Sequence, residues 1–180
     1  NACWRVMIAP NLWLCPICLE PGAQFRKVDD LYEAGAIHLT QMCEKYKTGQ
    51  REPVVAIDKL QATARYLCAE EKVGTDAAWQ ARGQKGQWHC PFCLKETPAR
   101  LAANGGADRA ALENIARHLA ACPKFDNGHG KAAAAAEVRA AAQRSDLMAE
   151  AIVLTRKKLA DSPVWQVRSS HGRWVCPFCR

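Results

Sequence analysis

One segment of this chain occurs three times, and that repeat limits the fold more than any other feature. Trp79-Gln-Ala-Arg-Gly-Gln-Lys-Gly-Gln-Trp88-His-Cys90-Pro-Phe-Cys93 aligns without gaps on Trp165-Gln-Val-Arg-Ser-Ser-His-Gly-Arg-Trp174-Val-Cys176-Pro-Phe-Cys179. An earlier copy reads Trp4-Arg-Val-Met-Ile-Ala-Pro-Asn-Leu-Trp13-Leu-Cys15-Pro-Ile-Cys18. Each copy places one Trp nine residues before another, and the second Trp two residues before a Cys-Pro-x-Cys pair. The copies begin 75 and then 86 residues apart, so the 180-residue chain reads as a small unit used repeatedly.

Within each copy, two short strand-like runs flank turn-forming residues such as Gly83, Gly86 and Gly172, which predicts a β-hairpin. The second strand runs into the Cys-Pro-x-Cys turn. Proline fixes φ there, so both sulfurs converge on one point with backbone N–H groups facing them. Two matching helices follow. Asp29-Asp30 is read as the cap of a helix running to about Cys43, and Asp108 as the cap of one ending at Cys122 before Pro123. Leu31, Ala34 and Ile37 in the first, and Leu112, Ile115 and Leu119 in the second, have the spacing of a buried stripe. Further helices are expected over 53–72 and 131–160. In the latter, Val138, Ala141, Ser145, Met148, Ile152, Thr155 and Leu159 form a weak heptad seam. That seam is read first as packing within the unit and second as a surface for self-association.

The expected class is α+β: zinc-stabilised hairpin-plus-helix units in tandem, joined by longer α-helices. The boundaries read as unit 1 over 1–50, a linker helix over 51–75 and unit 2 over 76–127. A long Ala-rich helix over 128–162 and a truncated third unit over 163–180 follow. The chain starts at Asn1 and stops inside the third motif, which predicts a piece excised from a longer protein.

The spacing of sulfur and imidazole carries the chemistry. Finger 1 reads Cys15-x2-Cys18-x19-His38-x4-Cys43, and finger 2 reads Cys90-x2-Cys93-x24-His118-x3-Cys122. A structural zinc site needs four converging ligands, commonly one close pair from a turn and another from a helix end. His118 and Cys122 share a helix face. The wider His38 to Cys43 step requires the last helical turn to loosen or end. Two complete zinc sites are therefore expected, with Cys176 and Cys179 as half of a third. The repeat also sets other candidates aside: His89 aligns with Leu14 and Val175, His171 with Lys85, Cys3 with Ala78, and Cys68 with Leu154. His129 has no counterpart. The Trp pairs are read as packing between hairpin and ligand helix. Cys-Pro-Phe-Cys is similar to the redox pair of glutaredoxin-like proteins, but that pair works from a helix N-terminus and this one follows a hairpin.

Ten cysteines in a chain of this length, six of them in Cys-Pro-x-Cys pairs, suit metal sites in a reducing compartment better than a disulfide framework. An intracellular location is expected, cytoplasmic or, in a eukaryote, nuclear. The formal charge of +7 falls to +5 once two sites each hold three thiolates and one Zn²⁺. The excess lies in the C-terminal half, where residues 126–180 hold 9 basic and 5 acidic side chains.

The tail Ile115-Ala-Arg-His118-Leu-Ala-Ala-Cys122 resembles the ligand helix of BED-type or BIR-type fingers, and both sites resemble Cys-Cys-His-Cys-order fingers of the ββα kind. A BED-like finger would imply DNA as partner and a BIR-like one peptide recognition. The sequence reading favours a protein-interaction or regulatory scaffold with structural zinc. The alternative is nucleic-acid binding through Arg109, Arg117, Lys124, Arg156, Lys157 and Lys158. No enzymatic activity is expected, because both sites are closed by four protein ligands and no catalytic motif is present. No membrane association is expected.

Overall fold

The computed structural model describes residues 2–25, 28–125, 130–169 and 171–178. Helices and two small antiparallel sheets make an α+β fold. Unit 1 opens with a 3-10 turn over Ala2–Arg5. Strands β1 (Met7–Ala9), β2 (Leu12–Leu14) and β3 (Pro21–Gln24) form one sheet in that order. Helix α1 (Val28–Ile37) runs into a π-helical turn over His38–Met42, and a short α2 (Glu44–Lys47) follows. Next come α3 (Ile57–Thr75), the paired strands β4 (Gln87–His89) and β5 (Glu96–Arg100), α4 (Arg109–Ala121) and the long α5 (Ala135–Asp161).

The repeat in the sequence is a repeat of backbone pairing. Met7 faces Trp13 in β1–β2, and the bridges Arg82–Trp88 and Arg168–Trp174 occupy the same aligned positions. Leu14 N–H donates to Val6 O at 3.0 Å, His89 N–H to Ala81 O at 3.2 Å, and Val175 N–H to Val167 O at 3.1 Å. The second indole of each pair donates to the carbonyl of the first: Trp13 to Trp4 at 3.0 Å, Trp88 to Trp79 at 2.8 Å, and Trp174 to Trp165 at 2.7 Å. The fixed nine-residue spacing thus reflects one hydrogen bond, which gives the first Trp's carbonyl a donor and holds the two rings in contact, stacked in the first pair and tilted in the other two.

The hairpin reading needs one correction. In unit 2 the segment before β4 contributes only a bridge, and β4 pairs instead with β5, across the Cys-Pro-Phe-Cys turn. In unit 1 β3 pairs with β2 in the same way. Those outgoing strands, Pro21-Gly-Ala-Gln24 and Glu96-Thr-Pro-Ala-Arg100, are weak in strand-forming residues, so propensity alone did not single them out.

The helices also differ from expectation at their ends. α1 begins at Val28, so Asp29 and Asp30 lie inside its first turn rather than ahead of it. Ile37, read as part of the buried stripe, is 39% exposed, whereas Leu112, Ile115 and Leu119 of α4 are all buried. Asp108 caps α4 as expected, its Oδ1 accepting from Ala111 N–H at 2.7 Å. α3 starts four residues later than the expected Pro53 because the chain there is tied to the first knuckle: Val54 N–H donates to Pro16 O at 3.0 Å. α5 starts at Ala135 rather than Lys131 for the same reason, as Ala133 N–H donates to Pro91 O at 2.7 Å. In both units a backbone N–H just ahead of the next helix donates to the carbonyl of the knuckle proline.

α3 does more than link. It packs on β1 of unit 1 and on α4 of unit 2, burying Leu60, Ala64, Cys68, Ala69 and Val73. One core therefore joins Val6, Ile8 and Leu14 to Trp79, Trp88, Leu112, Ile115 and Leu119 through α3. A smaller core surrounds the first knuckle: Trp13, Cys15, Ile17, Phe25, Ala34 and Cys43. The expected α5 seam holds only at its start. Val138 and Ala141 are buried, whereas Met148 is 64%, Ile152 45% and Leu159 36% exposed.

Candidate metal centres

Each knuckle turns on the same backbone frame. Cys15 N–H donates to Glu20 O at 3.1 Å and Leu19 N–H returns to Cys15 O at 2.9 Å; Cys90 and Lys95 (3.0 Å), and Leu94 and Cys90 (2.8 Å), repeat this. Leu19 and Leu94 sit in the left-handed region, at φ 67° and 61°. A leucine there costs on the order of 1 kcal/mol, so the fold holds this turn against local preference. The frame aims N–H groups of Ile17 and Cys18 at the Cys15 sulfur, and those of Phe92 and Cys93 at Cys90.

The ligand helices bring the other two groups. Cys15, Cys18, His38 and Cys43 form one cluster and Cys90, Cys93, His118 and Cys122 another, with the donor atoms of each within 4.8 Å of one another. Cys18 Sγ lies 3.3 Å from His38 Nε2, Cys93 Sγ 3.4 Å from His118 Nε2, and Cys90 Sγ 3.9 Å from Cys122 Sγ. A tetrahedral ion with bonds of about 2.3 Å to sulfur and 2.0 Å to nitrogen spaces its ligands by about 3.8 Å (S to S) and 3.5 Å (S to N). Either cluster could hold a metal ion of that geometry.

The unequal His-to-Cys spacing is resolved by the π turn. Cys43 N–H donates to His38 O at 2.8 Å, a five-residue step that adds one residue to the last turn. Cys43 thus reaches the place Cys122 reaches from four residues after His118. The loosened turn read from the sequence is this widening.

The second Trp of each of the first two copies fixes the imidazole. Trp13 meets His38 edge-on at 5.8 Å and 86°, and Trp88 meets His118 at 5.9 Å and 79°. Both indoles are at most 3% exposed, so the Trp pair does pack the hairpin against the ligand helix. Phe92 adds edge contacts to Trp79 (5.6 Å) and to Phe125 (5.1 Å), which hold Phe125, three residues past Cys122, in the core of unit 2.

Burial sets the charge state. It pushes the Cys18 thiol up to about 12, and raises Cys15 and Cys90 as well, each also facing a neighbouring cysteine. Burial lowers His38 and His118, the latter helped by Lys95. Without a cation the sites therefore favour neutral thiols and neutral imidazoles. A bound divalent ion reverses this for sulfur, displacing the protons.

No protein-family model, curated protein or solved structure matches the chain.

None of the described residues set aside by the repeat belongs to either cluster. Cys68 is buried in the α3 face, where burial raises its thiol to about 11. Cys3 is half-buried against the core, and His171 is exposed in a turn. His89 is 1% exposed in β4, with Nε2 4.0 Å from Glu96 Oε2. His129 and Cys179 lie outside the described residues, and Cys176 is half-buried beside the third hairpin. Arg109 and Arg117 line one groove between α3 and α4 with Arg65, Tyr66 and Glu113. Arg109 is paired with Glu113 at 3.0 Å. Lys124, Arg156, Lys157 and Lys158 are exposed but sit elsewhere, the last three near the end of α5. No described helix is long and apolar enough to cross a membrane.

What the sequence reading missed was visible in alignment. A leucine follows the second cysteine of both complete knuckles, at Leu19 and Leu94. That coincidence could have marked a shared special backbone, although leucine is not a residue from which left-handed φ is inferred.

Proposed function

We propose that the chain is a zinc-stabilised scaffold, with one structural Zn²⁺ in each complete cluster and protein partners on its exposed faces. The observation that carries this reading is the closure of both clusters. Three sulfurs and one imidazole surround each centre and fill a tetrahedral shell, leaving no position for water or substrate. Three thiolates and an imidazole also suit Zn²⁺ better than the hard, oxygen-seeking cations. The four groups of each cluster join a knuckle to its own helix, α1 within the smaller core and α4 within the core shared with α3, so the metal acts on folding rather than on a reaction. No enzymatic role is assigned to these clusters.

A second reading, nucleic-acid binding, is favoured by the three arginines of the α3–α4 groove. Glu113 in the same groove, paired with Arg109, and the near-neutral first unit argue for the protein partner instead. Titration with duplex DNA and with single-stranded RNA at two salt concentrations decides between them. The scaffold reading expects weak binding to both. Tight binding that collapses with added salt, as counterion release requires, overturns it. Metal analysis of the purified chain tests the common part: two zinc ions are expected, and near-UV dichroism lost in excess chelator.

A further inference from the structure

The 86-residue offset that aligns the second and third hairpins also aligns α3 with the last part of α5. Ile57–Thr75 falls on residues 143–161 without a gap, and both helices end at the same aligned position. The two helices begin their aligned stretch alike, each against the hairpin of the preceding unit. α3 packs on β1, and Asp146 of α5 (aligned with Leu60) accepts from Gln84 N–H at 2.8 Å. They differ in what covers the other end. Cys68 and Val73 of α3 are each 3% exposed; their counterparts Leu154 and Leu159 are 48% and 36% exposed.

The adjoining hairpin shows the same difference. Trp88 is fully buried and Phe92 9% exposed, whereas Trp174 is 42% and Phe178 82% exposed. Yet the third hairpin keeps the strand bridge, the indole-to-carbonyl bond and the edge contact between Trp165 and Phe178 at 5.6 Å. In unit 2 the element that packs on both α3 and the hairpin is α4, bearing His118 and Cys122.

We propose that α5 and the third hairpin form a preformed seat for a ligand helix of the α4 kind, donated from outside residues 1–180. The occupant is an amphipathic helix with an apolar stripe beside a His and a Cys about one turn apart. Its docking covers Ile152, Leu154, Leu159, Trp174 and Phe178. It also brings a His and a Cys to Cys176, as α4 brings His118 and Cys122 to Cys90. A second copy of this chain does not supply it, because α1 and α4 already serve their own hairpins. α5 carries Leu154 and Thr155 where α3 carries Cys68 and Ala69, so the occupant has less bulk on that face. α1 meets this need, with Gly35 at the position of Ile115 when His38 and His118 are aligned.

The inference rests on the metal reading of the two complete clusters, and the experiment separates the two. The full chain is titrated with cobalt(II), alone and with synthetic peptides of residues 28–48 or 107–125. Two cobalt ions are expected for the chain alone, and none would sink the metal reading itself. With at least one peptide, a third cobalt with thiolate-to-cobalt absorption and one bound peptide are expected. Leu154→Glu, which lies on an exposed face, should weaken peptide uptake by about tenfold or more and leave the first two ions bound. Three results overturn the proposal: neither peptide is taken up, uptake is indifferent to Leu154→Glu, or the chain forms a dimer that Leu154→Glu dissolves.

Discussion

Replacing Trp88 by alanine removes the piece on which unit 2 closes. Its side chain is fully buried, its indole N–H donates to Trp79 O at 2.8 Å, and its ring stands edge-on to His118 at 5.9 Å. Truncating a buried Trp costs about 3–5 kcal/mol when the cavity does not collapse. The Trp79 carbonyl, left without its donor among buried neighbours, adds about 1 kcal/mol. The same change at Trp174 removes the equivalent hydrogen bond from a ring 42% exposed, so its cost should stay near 1 kcal/mol. Urea unfolding of the metal-loaded chain, followed by far-UV dichroism, measures both. Release of metal to a chromogenic chelator reports whether His118 is still held. Trp88→Ala is expected to lose most of the stability of unit 2 and to release one ion much faster, with Trp174→Ala close to the parent. Trp88→Phe, which keeps a ring against His118 but no N–H, should fall between them. Equal losses from Trp88→Ala and Trp174→Ala would refute the argument that the ligand helix, not the hairpin itself, is what the second Trp stabilises.

The sign of the pH dependence should invert with the metal. Burial holds the Cys15, Cys18 and Cys90 thiols above their ordinary 9.0, so the metal-free fold loses stability as pH rises past that value toward about 12, the Cys18 value. The loaded sites need thiolates and are lost as pH falls, with affinity changing by up to about a thousandfold per pH unit for three displaced protons. Denaturation midpoints against pH, with metal and with chelator, would show two opposite slopes; parallel slopes would contradict it. Asp108→Ala should cost about 1 kcal/mol in urea unfolding by removing the α4 cap, and Asp108→Asn should restore most of it.

The two Cys-Cys-His-Cys clusters and the contact within each Trp pair were legible in the sequence because they depend on fixed local spacings. A Cys-x2-Cys turn, a nine-residue Trp interval and a four-residue step along a helix each place atoms together whatever the rest of the chain does. The Asp108 cap was legible for the same reason. Where spacing departed from the helical period, at His38-x4-Cys43, the sequence showed that the turn must loosen. Only the structure showed a π turn doing so. Local propensity gave no notice of β3 and β5, whose pairing is set by the knuckle between the strands, nor of the left-handed Leu19 and Leu94. The longest-range decision was the role of α3. A weakly amphipathic helix with Leu60, Ala64, Cys68 and Val73 on one side reads as a linker. That this side lies between β1 and α4, and that Leu154 and Leu159 on the matching stretch of α5 stay exposed, follows from which surfaces meet in three dimensions. Hydrophobic burial is non-directional: it dictates that such a face be covered, and only the tertiary arrangement selects by what.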